Sequence, residues 1–351
     1  MATLSHEAFR RAVVRFGGCD EYFTEMINAP SLLAGGAWEK FYLLSGPEPD
    51  KIVWQLTGNK AEPMADAASL LAEREGIGID LNMGCSAPQI ANTGAGISWM
   101  TKPIAETAQM VHGVKTAIAN AAKNGSPEKR LSVKLRLGAE DFTDDGFFAF
   151  CDMLVSEGVQ LLTLHARTKK EKYRKPPRYA YVEKLALRYA GKIPVYLNGA
   201  VSDYASYEYA VQIAPHASGV MIARAAAQKP WVFAEIIGSS PTMTVSAAPT
   251  TPSSFPHSDT GSSSHTIDCE QIALDFVDDV EECQPPEFYK TRLQRFFAYY
   301  CDNFSFAHWF KTQMLNAATP DQSRERIREY FVKCPEDRLR LLQQDRLRRL
   351  Q

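Results

Sequence analysis

The residues with the clearest chemical potential lie in the stretch Ile79-Asp-Leu-Asn-Met-Gly-Cys-Ser-Ala-Pro88. Its first half alternates apolar and polar residues, as a strand of a parallel sheet can, and Gly84 and Pro88 then turn the chain away. Asn82 and Cys85 therefore fall at the C-terminal end of a strand and in the loop that follows it. A lone cysteine is most often a small buried hydrophobe. The glycine before Cys85 and the polar loop after it make a reactive thiol an equal alternative.

Polar residues recur at the ends of other strand-like segments: Glu25, Gln55, Lys134 with Arg136, His165 with Arg167, Asn198-Gly199 and Arg224. Singly, each has a dull explanation, such as an edge lysine or a satisfied core histidine. A barrel of parallel strands gathers all of them at one mouth, where they make a site for a polar, anionic ligand. Asn198-Gly199-Ala200 and Ala223-Arg224-Ala225-Ala226 follow the last two strands, where such barrels commonly bind phosphate. The loop after His165 is rich in Lys and Arg and carries Tyr173. It suits a nucleic-acid backbone with a stacked base, the alternative being a solubilising surface loop.

Elements able to position these groups can be read along the chain. Strands are predicted over 22–27, 51–56, 78–83, 131–137, 161–166, 194–197 and 219–223. Helices are predicted over 7–16, 63–74, 103–122, 145–157, 179–189 and 204–213. Ser5, Lys102-Pro103 and Ser202-Asp203 stand where helices would open. Repeating βα units imply an α/β fold with right-handed crossovers, a TIM (β/α)8 barrel. Seven strands preceded by a helix leave the barrel without its first strand. The expected catalytic domain is 1–237, followed by a Ser/Thr/Pro-rich flexible linker over 238–267. A small all-helical domain over 268–351 opens with an acidic amphipathic helix. Residues 286–351 read as helices only, with Phe296, Phe297, Tyr300, Trp309, Phe310 and Met314 on the apolar face. This end has 13 Lys+Arg against 8 Asp+Glu, a net +5, whereas the whole chain carries -2.

With 351 residues the chain can bury one large and one small core. The net charge excludes a generally basic protein, so a nucleic-acid partner needs a local basic surface. Seven cysteines with no Cys-x-x-Cys pair argue against a disulfide framework or a metal site and for reduced thiols. Neither a signal peptide nor a membrane-length apolar run is present, and a cytoplasmic monomer is expected.

At this point the residues resemble a family. The series Phe23-Thr-Glu-Met26, Gln55, Asp80-Leu-Asn-Met-Gly-Cys85, Val133-Lys-Leu-Arg136, Leu164-His-Ala-Arg-Thr168, Asn198-Gly199, Met221-Ile-Ala-Arg224 and Pro230-Trp231 is similar to the tRNA-dihydrouridine synthases, from Met1 to about residue 237. The resemblance implies an FMN-dependent barrel with a tRNA-binding helical domain, which uses NADPH to reduce a uridine in tRNA. It implies that Gln55, Lys134 and His165 hold the flavin ring and ribityl chain, with Met1 bordering that pocket. Asn198, Gly199, Ala223 and Arg224 would hold the phosphate. Asn82, Arg167 and Tyr173 would meet the substrate, and Cys85 would be the general acid that protonates C5 after hydride reaches C6. An ordinary thiol, with a pKa of roughly 8.5, is mostly protonated near neutrality and suits that role.

The chain departs from the family pattern in several places. Ser86-Ala87 separate Cys85 from Pro88, where the family has proline directly after the cysteine. Gln89 or its neighbour stands where lysine is common, Ala200 replaces an aspartate, and Ala223 replaces a glycine. The family's first strand would end just before Met1, so a natural start upstream is expected. An FMN-dependent dehydrogenase of free pyrimidines is a rival reading, and a catalytically decayed RNA-binding relative is another. A barrel aldolase with Lys134 as Schiff-base lysine is disfavoured by Arg136 on the same strand face.

Overall fold

The computed structural model describes residues 1–139, 143–171, 174–239 and 266–342. One parallel sheet dominates it. β1 (Tyr22–Phe23) and β2 (Ile27–Asn28) both pair with β3 (Ile52–Thr57). In chain order the sheet continues through β4 (Gly78–Met83), β5 (Arg130–Arg136), β6 (Leu161–His165), β7 (Val195–Asn198) and β8 (Gly219–Met221). Helices follow β3 to β7 in turn: Ala61–Ala72, Ile104–Lys123, Asp144–Ser156, Tyr179–Arg188 and Tyr204–Ile213. This is a TIM-type barrel short of one strand, and among the described residues β1/β2 and β8 are not joined.

β3, β4 and β6 are buried along their whole length, as strands covered on both faces must be. At the N-terminal ends of the strands, Arg130 of β5 makes two hydrogen bonds to the Glu21 carboxylate, at 2.8 and 2.6 Å. The Tyr196 hydroxyl of β7 donates to the same group at 3.0 Å. That end of the barrel is closed by internal pairing and leaves the opposite end for chemistry.

The strand expected over 22–27 is interrupted. Phe23 pairs with Val53 and Ile27 with Leu56, so residues 24–26 carry one residue more than β3 opposite them. In this bulge the Thr24 hydroxyl accepts from the Gln55 backbone N–H at 3.0 Å and replaces a rung of the ladder. Glu25 is thereby turned toward the helical body, where Arg292 meets it at 2.7 Å with both side chains buried.

Behind the barrel, helices Cys269–Cys283, Pro286–Tyr300, Ala307–Leu315 and Pro320–Lys333 pack around an aromatic core. Phe276 stacks on Phe296 with centroids 3.7 Å apart, and Phe310 on Tyr330 at 4.2 Å. The C-terminal part is helical with one correction: β9 (Thr266–Asp268) and β10 (Leu339–Leu341) form an antiparallel ribbon. Trp309, expected on the apolar face, is 37% exposed. Ser5 does not cap the first helix. His6 holds the N-cap position without a side-chain bond, and the Ser5 hydroxyl accepts from the Met1 amine instead.

The acidic helix docks the helical body onto the barrel. Arg11 meets Asp279 and Glu282, and Arg15 meets Asp275 and Asp279, both from the first helix, Glu7–Val14, and its C-cap. Arg324 takes Asp278 and Glu281 on the other side. Residues 240–265, most of the expected linker, and 343–351 lie outside the described residues. No described helix is long and apolar enough to cross a membrane. All seven cysteines are free thiols.

Candidate active site

β4 places Asp80 and Asn82 on one face of the sheet, since strand side chains alternate. The register sets Gln55 of β3 and Ser132 of β5 on either side of Asp80, and Lys134 beside Asn82. A continuous hydrogen-bond chain results. The Ser132 hydroxyl donates to Asp80 Oδ1 at 2.7 Å, and Gln55 Nε2 donates to Asp80 Oδ2 at 2.8 Å. Asn82 Nδ2 then donates to Gln55 Oε1 at 2.9 Å. Asn82 Oδ1 in turn accepts from the backbone N–H of Cys85 at 2.9 Å and of Gly84 at 3.3 Å.

The loop bearing Cys85 is thus held by its backbone. Arg136 Nε donates to the Gly84 carbonyl at 2.9 Å, and the Ile97 N–H donates to the Cys85 carbonyl at 3.0 Å. Gly96, at φ +60°, lets the chain pass: a Cβ there would lie 2.5 Å from the Cys85 carbonyl oxygen. The Cys85 side chain is half-buried, and the two residues inserted after it lead to a short helix, Pro88–Ala91.

The neighbouring strand ends are cationic. Burial and the adjacent Arg136 guanidinium lower the Lys134 ammonium to about 8, against the pull of Asp80 and Cys85. The Lys134 ammonium makes no hydrogen bond or ion pair with a described residue. His165 is held neutral, its pKa lowered to about 2 by burial and then by Lys134, Arg136, Arg167 and Arg224. Its Nε2 faces Arg167 Nη1 at 2.9 Å, so that nitrogen is the acceptor. Arg167 is fixed from behind by the Lys175 carbonyl, 2.5 Å from Nε.

Beyond His165, Asn198 Nδ2 donates to the Met221 carbonyl at 2.8 Å and ties β7 to β8. Gly199 adopts φ +118°, and a Cβ there would come within 2.9 Å of the His165 ring. Only glycine lets this turn press so closely on the imidazole. Ala200 follows at φ 58°, a left-handed conformation that alanine rarely adopts. Ala223 is half-buried at the N-cap of Arg224–Gln228, and Arg224 is exposed.

The structure therefore joins Gln55, Asn82 and Cys85 directly, and sets Lys134, His165, Arg167 and Gly199 beside them. The Met1 amine lies nearby, lowered to about 6 by desolvation although Glu25 opposes the shift. Ala223 and Arg224 lie one strand further on. Tyr173 falls outside the described residues. Among the described residues no group of three or more His, Cys, Asp or Glu could hold a metal.

Sequence reasoning missed Asp80 as a working residue, although it lies two residues before Asn82 on the same strand face. Burial raises its carboxyl to about 6 against the hydrogen bonds from Ser132 and Gln55. Gly96 was missed because its partner is a backbone oxygen 11 residues earlier.

A family model described as "Dihydrouridine synthase (Dus)" matches residues 1–269. A "Probable tRNA-dihydrouridine synthase" of Aquifex aeolicus is 31% identical over 238 residues, covering 67% of this chain and 70% of that protein. A mouse (Mus musculus) protein named "tRNA-dihydrouridine(47) synthase NAD(P)(+)-like" is 30% identical over 241 residues, 67% of this chain but 35% of its own length. "tRNA-dihydrouridine synthase B" of Pseudomonas syringae is 27% identical over 236 residues, 67% of this chain and 66% of that one. The chain thus spans about a third of the mouse relative.

Proposed function

The chain belongs to the dihydrouridine synthase family, and from this premise we propose that it reduces a uridine of tRNA to 5,6-dihydrouridine with FMN and NADPH. The observation that carries this reading is a cysteine held by its backbone at a strand end, beside a row of cations and a neutral histidine.

Three features support FMN in particular. A half-buried ammonium with no ion-pair partner among the described residues, Lys134, answers a ring that carries negative charge when reduced. The glycine turn at Gly199, together with Arg224, answers a phosphate. Gln55 has one amide N–H and one lone pair left after bonding Asp80 and Asn82, enough to fix the ring's polar edge. Bound there, an FMN would supply hydride, drawn from NADPH, for C6 of the uracil.

The chain's own groups do the rest. Asn82 keeps one amide N–H to orient the base, since its oxygen already serves Gly84 and Cys85. Arg167 offers a second contact, and Cys85 donates its thiol proton to C5. The base must be turned out of the RNA to reach these groups. On this reading residues 1–237 form the catalytic domain and 268–351 grip the tRNA, and Tyr173 in the basic loop stacks on RNA. Lys290, Arg295, Arg328 and Lys333 make no ion pair with a described residue and supply charge for that grip.

The test is spectroscopic. The purified protein should be yellow, should bleach with NADPH, and should recover its colour when unmodified tRNA is added without oxygen, dihydrouridine appearing in the product. Recovery with free uridine or uracil but not with tRNA would establish the free-pyrimidine enzyme instead.

Lys134 gives a pH dependence. It loses its proton in the flavin-free protein as pH rises through about 8, and the charge that attracts the cofactor goes with it. FMN affinity should fall across that interval, and Lys134→Met should bind weakly with that fall abolished. An unchanged slope in the Met variant, measured by fluorescence titration, would remove Lys134 from the flavin site.

A further inference from the structure

Asp80 makes no hydrogen bond to the Cys85 loop, yet it is the acceptor on which the hydrogen-bond chain that reaches the loop is built. A carboxylate can only accept, so Asp80 dictates which way the Gln55 amide faces: Nε2 toward Asp80, Oε1 toward Asn82. Gln55 Oε1 in turn requires Nδ2 of Asn82, which leaves Oδ1 of Asn82 to receive the N–H groups of Gly84 and Cys85. Without the acceptor at Asp80 both amides could turn over. An Asn82 turned over would set an NH2 group against two backbone N–H donors, and the loop would have to move.

We propose that Asp80 is a positioning residue for the reaction, fixing through Gln55 and Asn82 the pose of the loop that carries Cys85. This rests on the functional reading above in its kinetic consequence, but not in its structural one. Misplacing a reacting group by about 1 Å can cost on the order of 10²-fold in rate.

Two substitutions separate acceptor geometry from charge. In Asp80→Asn the new amide oxygen can still accept from Gln55, and its NH2 meets the Ser132 hydroxyl, which rotates from donor to acceptor. Asp80→Leu keeps the branched shape and offers no acceptor. Asp80→Ala, which leaves space for a water, is the second apolar variant.

Flavin content, flavin reduction by NADPH, single-turnover tRNA reduction and alkylation of Cys85 by iodoacetamide, followed by mass spectrometry, are compared. The expected result is unchanged flavin content and NADPH reduction in the Asn variant, with tRNA reduction in every variant measured per bound flavin because Gln55 also faces the ring. Single-turnover tRNA reduction should drop on the order of 10²-fold in the Leu or Ala variant, and Asn should restore it to within about threefold of wild type. The Cys85 alkylation rate should change in the apolar variants and stay at the wild-type value in Asn.

Equal losses in Asn and Leu would overturn the proposal in favour of a charge effect on Lys134. Wild-type behaviour of Leu and Ala would overturn it outright, and failure of both to fold or bind flavin would assign Asp80 to the scaffold. If the wild-type protein does not reduce tRNA, the functional reading fails, and the alkylation rates still decide the role of Asp80.

Discussion

Cys85→Ala should retain its flavin and oxidise NADPH at the wild-type rate, yet reduce tRNA about 10²–10⁴-fold more slowly, the range a general acid contributes. The prediction is sharp because residue 85 holds its loop through main-chain atoms. Its N–H goes to Asn82 and its carbonyl to Ile97, and alanine keeps both. What is lost is the thiol proton alone. Flavin reduction by NADPH does not draw on that proton, so the two halves of the catalytic cycle should part company. Stopped-flow measurement of each half-reaction checks this, and a wild-type rate of tRNA reduction in the alanine variant would strike Cys85 from the mechanism.

Arg292→Ala should destabilise the protein by about 3–5 kcal/mol, the usual cost of leaving one partner of a buried ion pair alone. Arg292 and Glu25 are 2% and 4% exposed, and among the described residues Glu25 Oε2 has no hydrogen-bond partner to compensate for the loss. The pH dependence has a definite sign. Burial raises the Glu25 carboxyl above its ordinary value while Arg292 lowers it, so removing Arg292 raises it further. The variant's native state then binds more protons than its unfolded state, and its stability falls as pH rises. The deficit should therefore shrink on acidification. Glu25→Gln with Arg292→Met should lose far less than the single change, since apolar replacement of a whole buried pair is often neutral. Denaturant midpoints at several pH values measure all of this. A single variant within about 0.5 kcal/mol of wild type, the range of an ordinary surface change, would show that the pair does not carry the domain contact.

The legible part of this protein was its periodic part. β4 occupies 78–83 and the helix Tyr204–Ile213 occupies 204–213 as predicted, because alternation and capping are local signals. The Asp203 capping box is local too. The segment 22–27 misled because Thr24 substitutes a side-chain oxygen for a backbone rung, and only the partner strand reveals this. β9 and β10 escaped notice for a related reason: Leu339 pairs with Asp268, and no short window contains both. Glu25 was singled out as a strand-end polar residue. Its partner lies 267 residues away on a helix read for its apolar face and its net charge, not for a buried ion pair. At the site, residue types at strand ends pointed to Gln55, Asn82, Lys134 and His165, whereas the order in which they bond to one another required the register.

The backbone clamps around Gly84 and Cys85 bear on which uridines this protein could use. A thiol carried on a pliant flap can seek out its target, but one anchored by Asn82, Arg136, Ile97 and the close approach of Gly96 is a stationary post. In the proposed reaction the adjustment then falls on the nucleic acid. The nucleotide must be extruded to a preset depth, at a cost of a few kcal/mol that is least where a base is already poorly stacked or unpaired. Selection among uridines would follow from how readily each stretch of RNA deforms, so weakening the stacking around a target should raise turnover without any change in the protein.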